Sequence, residues 1–206
     1  MASPYDGVEA ARLVAALCIP RSTTLVGDSL CCRREAETME VETSRFVRYW
    51  WVVALAALAA GAITTSAADG FPILELEFAW TAERADEVLA GADLGAVNAT
   101  ILWDFVFLVL YSAALFLGSL WAREVFAGDR LRRAGRWIAF GAVYAGILDV
   151  IENFAMLSYV NGWSEFSGWL AIAGVMAIPK FLLVAIAIVY VIMGIVTAIS
   201  HRASRS

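Results

Sequence analysis

The 206-residue chain is 61% hydrophobic and carries 15 basic against 20 acidic side chains, for a formal charge of −5. Its mean hydropathy is +0.73, whereas soluble domains run to only about 45–50% apolar residues. This excludes an ordinary soluble domain, and the apolar residues fall in long blocks rather than at core-forming intervals.

Residues 1–45 read as a poorly ordered cytoplasmic tail. The run Leu13–Ile19 is too short to span, and Asp6 and Glu9 precede it where a signal peptide carries basic residues. Cys18, Cys31 and Cys32 lack zinc-ligand spacing. A working protein beginning at Met39 is an open alternative.

Four stretches supply the roughly 20 mostly apolar residues that a membrane span needs: 46–67, 97–122, 137–160 and 168–199. Helices are expected for all of them, because lipid offers no water to open backbone groups. The alternation of β-barrel strands is absent. In the first stretch Arg45, Arg48, Trp50 and Trp51 form an interfacial anchor, and the alanine-rich centre from Ala54 to Gly61 permits close helix approach. No ionisable residue enters that centre, so its expected role is structural.

The segment 69–96 is expected outside the membrane. Within it Phe71–Trp80 alternates, with Glu75 and Glu77 on one side and Leu74, Leu76 and Phe78 on the other. That period suits an extended strand or a loop at the membrane mouth. Thr81 can cap a short helix, with Glu83 in its first turn and Gly91 past its end. Together these pieces read either as a lid over the bundle or as an exposed connector.

The second stretch carries Asp104 about 10 Å inside its outer end, at a helical rise of ~1.5 Å per residue. Asp104, Leu108 and Tyr111 share a face by their spacing. Asn98-Ala99-Thr100 matches a glycosylation sequon, but it abuts the bilayer and is discounted. The following linker holds Arg123, Arg130, Arg132, Arg133 and Arg136, which suit anionic lipid headgroups better than nucleic acid. Apart from Arg84 and Lys180, the basic residues lie there or at the two ends of the chain. The positive-inside rule then predicts a multi-pass protein of the cell membrane with both termini cytoplasmic.

The third stretch has a face that is small at one end (Gly141, Ala142, Ala145, Gly146) and polar at the other (Asp149, Glu152, Asn153, then Met156). At 32 residues the fourth must tilt, kink or project, and Pro179 offers a kink just before Lys180. Ionisable groups are costly in hydrocarbon and persist there mainly facing a partner, a cavity or a ligand. Asp149 and Glu152 are i,i+3 neighbours. Two like charges ~4 Å apart at an effective dielectric of 20 repel by about 4 kcal/mol, so both are expected to ionise only if Lys180 or another cation sits between them. The expectation is one carboxylate paired with Lys180 and at least one other carboxyl with a raised pKa.

Three readings follow for this cluster: a buried ion pair that only fixes helix packing, a site for a small lipophilic ligand, or a proton or ion path. The last lacks polar residues in the inner halves of the spans. For the ligand site, Asp149 and Glu152 would be the acid/base pair. Lys180 would be the counter-charge, Asn153 and Tyr111 orienting groups, Asp104 a second acid, and Glu77 a contact from the lid. The lone histidine, His201, lies in the cytoplasmic tail 200–206, away from the cluster, and no phosphate-loop or dinucleotide fingerprint occurs.

Leu76-Glu77-Phe78, Trp103-Asp104-Phe105, Asp149-x-x-Glu152-Asn153 and Lys180-Phe181 together resemble the pattern of a group of small, uncharacterised four-span membrane proteins of prokaryotes, over residues 70–190. The resemblance implies that Glu77, Asp104, Asp149, Glu152, Asn153 and Lys180 form one unit; it brings no established activity, cofactor or catalytic residue. The nearby lysine argues against a metal ion among Glu75, Glu77, Asp104, Asp149 and Glu152. The predicted fold is all-α, an integral membrane four-helix bundle with a short extracytoplasmic capping segment. Its expected partners are membrane lipids and a small lipophilic ligand; a homo-oligomer is left open.

Overall fold

A computed structural model describes residues 49–67, 71–163, 166 and 168–204. The tail 1–45 with its cysteines and Met39, and the anchor residues Arg45 and Arg48, lie outside the described residues. The described chain is all helix: α1 (Trp50–Ala67), α2 (Ile73–Glu77), α3 (Ala82–Leu89), α4 (Leu94–Val125), α5 (Asp129–Val160) and α6 (Trp169–Ala203).

Three of these, α4, α5 and α6, are long and apolar enough to cross a membrane. The 18-residue α1 is apolar too, and shorter. The long helices outrun the stretches predicted for them. Most notably, α5 starts at Asp129, so the basic residues Arg130, Arg132, Arg133 and Arg136, expected in a linker, ride on its first turns. Backbone hydrogen bonding within a helix does not stop where hydrophobicity stops, so hydropathy marks the buried part of such a helix and not its ends. Helix α6 is likewise unbroken across Pro179.

Helices α4, α5 and α6 pack on one another, and α1 lies on α4. Small residues bring the backbones close. A side chain at Gly194 would strike Ala122 on α4, and one at Gly146 would strike Ser112. The alanine-rich face of α1 buries Ala57 and Ala60, while Gly61 sits against the ring of Phe107. Leu55, Leu58, Val109, Ile178 and Leu182 are exposed on the outer faces of the helices, as befits surfaces that meet lipid tails rather than water.

At one end of the bundle α2 and α3 form a cap. Leu76 of α2 is fully buried against Ile101, Met156 and Leu170 of the long helices. Thr81 caps α3 as expected, its hydroxyl accepting from the Arg84 amide, and Gly91 takes the left-handed conformation (φ 81°) past the helix end. The expectation of an extended Phe71–Trp80 is overturned: Ile73–Glu77 is a helical turn. The helical turn breaks the alternation: Leu76 and its neighbour Glu77 are buried together, while Leu74 is exposed and Glu75 turns out to Arg84.

Close approach at Gly194 gives the first prediction. Gly194→Leu should lower stability in detergent by about 1–3 kcal/mol through overpacking, while Ile192→Leu on an exposed face should change little. Equal thermal midpoints for wild type and Gly194→Leu would contradict the tight α4–α6 crossing.

Candidate functional site

The site is assembled around Lys180, the only lysine in the chain. Its position on α6, one residue after Pro179, turns the side chain into the bundle, where it is 4% exposed. Its ammonium donates to Glu152 Oε1 at 2.7 Å and to Asp149 Oδ1 at 3.0 Å, both on α5. Glu77 Oε1, delivered by α2, stands 3.8 Å away. The ammonium also lies 4.6 Å from the ring centre of the adjacent Phe181. Lys180 thus occupies the position between Asp149 and Glu152 that their mutual repulsion requires.

A second tier extends from this centre. The Tyr111 hydroxyl on α4 donates to Asp149 Oδ2 at 2.7 Å, so Asp149 is held from two sides. The Asn153 amide donates to Asp104 Oδ2 at 2.7 Å. Asp104 therefore answers to Asn153 and not to Lys180, and unlike Asp149, Glu152 and Asn153 it is partly exposed. Glu77, Asp104, Tyr111, Asp149, Glu152, Asn153 and Lys180 are all brought together, from four helices.

Charge does not balance inside this set. The set holds four carboxyls and one ammonium, which only Glu77, Asp149 and Glu152 face, and two buried oxygens, Glu77 Oε2 and Glu152 Oε2, have no hydrogen-bond donor. Burial pushes the Glu77 carboxyl above its ordinary range, against the opposing pull of Lys180. Among the described residues no group of three or more His, Cys, Asp or Glu is arranged to hold a metal ion.

The cap is fastened by contacts that spacing did not reveal. Arg84 bridges Glu75 at 2.9 Å and Glu87 at 3.0 Å, which turns Glu75 outward and leaves Glu77 as the carboxyl that reaches the site. Trp80 adopts φ 56°, rare for a bulky side chain, and packs its ring against Gly174 on α6. Phe78 stacks on Phe181 with ring centres 6.1 Å apart. Tyr159 donates to Asp86 at 2.7 Å, tying α3 to α5, and Asn98 and Asn161 exchange amide hydrogen bonds of 3.1 and 2.8 Å between α4 and the end of α5.

Comparison with known proteins finds no matching family model, curated protein or solved structure.

Lys180→Met would strand Asp149 and Glu152 beside one another. Removing one partner of a buried pair costs about 3–5 kcal/mol, and a second change, Glu152→Gln, should recover part of that loss. Thermal unfolding in detergent measures both; additive losses in the double variant would contradict the direct contact.

Proposed function

We propose that this chain is a four-span membrane protein that recognises a small amphipathic ligand at the Asp104–Asn153 edge of the cluster. In this reading α1 is the remaining span, both termini are cytoplasmic and the cap faces outward. Support for the orientation comes from the basic first turns of α5 and the basic last turn of α6, against the acidic cap.

One observation carries the ligand reading: Asp104 is a partly exposed carboxylate in a membrane helix, above an apolar groove of about 420 Å³ between α4 and α5. Leu108, one helical turn from Asp104, lines that groove with Ser112, Phe116, Gly146, Ile147 and Val150. A ligand with its tail in the groove would bring its head to Asp104. Apolar walls with a few convergent polar groups are the usual make-up of a small-molecule site. Because carboxyls outnumber ammonium groups here, the favoured head is a hydrogen-bond donor or a cation.

Recognition is favoured over conversion. Asp149 and Glu152, the acid/base pair of a catalytic reading, are both engaged by Lys180. A structural role is the second reading, favoured by the same observation, since Lys180 joins α2, α5 and α6 through its ion contacts.

The readings separate in a thermal-shift experiment with total lipid extract from the native membrane. The wild type should gain several degrees, as a ligand at ~100 times its Kd adds about 2.7 kcal/mol. Asp104→Asn should melt near the wild-type midpoint without extract and gain little with it. If the extract stabilises Asp104→Asn equally, the ligand reading fails and the structural one stands.

Orientation has its own check, in a background with Cys18, Cys31 and Cys32 replaced by serine. Ala90→Cys should react with an impermeant maleimide on intact cells, and Ala127→Cys only after permeabilisation. The reverse pattern would invert the topology.

A further inference from the structure

Glu77 is held against groups of one element after another. On α6 it faces Lys180 at 3.8 Å. On α5 Glu152 and Asp149 hold the same ammonium, at 2.7 and 3.0 Å, and on α4 Asp104 lies at the outer edge of the cluster, bonded to Asn153. From α3 nothing positive arrives, because Arg84 is engaged by Glu75 and Glu87 on the solvent side. Lys180 donates to Glu152 through Oε1 alone. What remains is two carboxyls gathered at one ammonium through their Oε1 atoms, one fully buried and one 7% exposed, each with an Oε2 that no donor reaches.

Two carboxylates cannot hydrogen-bond to one another, because neither has a donor. A carboxylic acid and a carboxylate can, and the resulting charge-assisted bond is short and strong. Adding one proton supplies the donor this pair lacks and removes one of the surplus negative charges from a site shielded from water.

We propose that Glu77 and Glu152 form a proton-binding site, holding one proton between them, and that this bond latches α2 onto the membrane helices. Glu77 terminates α2, so its release frees the turn whose other fastenings at this face are the buried Leu76, Phe78 on Phe181 and Trp80 on Gly174. The sign follows from burial, which raises the Glu77 carboxyl. The latch is closed while Glu77 carries its proton and is lost as pH rises through the titration of Glu77. An open latch would uncover Lys180 and Asp149 to the side that the cap faces. The latch requires no ligand, so its failure would leave the recognition reading untouched.

The test uses the full chain in phosphatidylcholine–phosphatidylglycerol nanodiscs. Amide hydrogen exchange over residues 73–80, corrected for intrinsic rates, is followed from mildly acidic to mildly alkaline solution. Infrared spectra record the carbonyl band of a protonated carboxyl. In the wild type, protection should fall about tenfold or more as pH rises, together with loss of that band.

Glu77→Gln supplies a permanent donor to Glu152, so it should keep residues 73–80 protected at every pH and lack the titrating band. Glu75→Gln, on the solvent side, should retain the wild-type profile. A wild type without a titrating carboxyl band, or a Glu77→Gln variant with the wild-type pH dependence, would overturn the latch. Loss of the profile in Glu75→Gln as well would overturn its assignment to Glu77.

Discussion

A single ammonium in an apolar interior governs the arrangement of this protein. An unpaired lysine there costs several kcal/mol, and the cost disappears only when counter-charges are fixed around it. Glu152 and Asp149 on α5 meet Lys180 directly, so the rotation of α5 about its axis is set relative to α6. Tyr111 then fixes Asp149 from α4, and Glu77 draws α2 down onto the bundle. Close packing of small residues brings the helices within reach, and the ion contacts choose among the rotations that packing would allow.

The same set carries more acid than base, which distinguishes it from a simple ion pair. A pair that served packing alone would need one carboxylate for Lys180. Here Glu77, Asp149 and Glu152 surround it, while Asp104 is held separately by Asn153 at the edge of the helices. Surplus negative charge in low dielectric draws protons or positively polarised groups. The latch and the ligand reading both draw on that surplus: the first places a proton deep under the cap, the second a donor at the lipid-facing edge.

Much of this was legible in the amino-acid order, and the limits have physical causes. Hydropathy marks the interiors of α4, α5 and α6 because transfer into hydrocarbon depends on composition over a full span. The cap of α3 is visible because Thr81 acts locally. Spacing puts Asp149 and Glu152 on one face and points to one carboxylate paired with Lys180, whereas in the structure Lys180 meets both. Helix ends were missed where basic turns continue an apolar helix, as at Arg130–Arg136. Over Phe71–Trp80 a two-residue period and a single helical turn both bury Leu76, so strand and helix could not be told apart there. The choice of Glu77 over Glu75 depends on Arg84, nine residues away from Glu75, a tertiary contact that no local pattern encodes. Asp104's pairing with Asn153, rather than with Lys180, is likewise a matter of helix rotation.

Because Lys180 is the only lysine, its Nζ can be labelled with ¹⁵N uniquely. Solid-state NMR in lipid bilayers, with ¹³C-labelled Asp and Glu carboxyls, then measures its neighbours directly. The account predicts strong dipolar coupling from this nitrogen to at least one aspartate and one glutamate carboxyl at hydrogen-bond distance, with the aspartate coupling lost in Asp149→Asn and the glutamate coupling weakened in Glu152→Gln. A Lys180 nitrogen that couples to water or lipid phosphate, and to neither type of carboxyl, would contradict it.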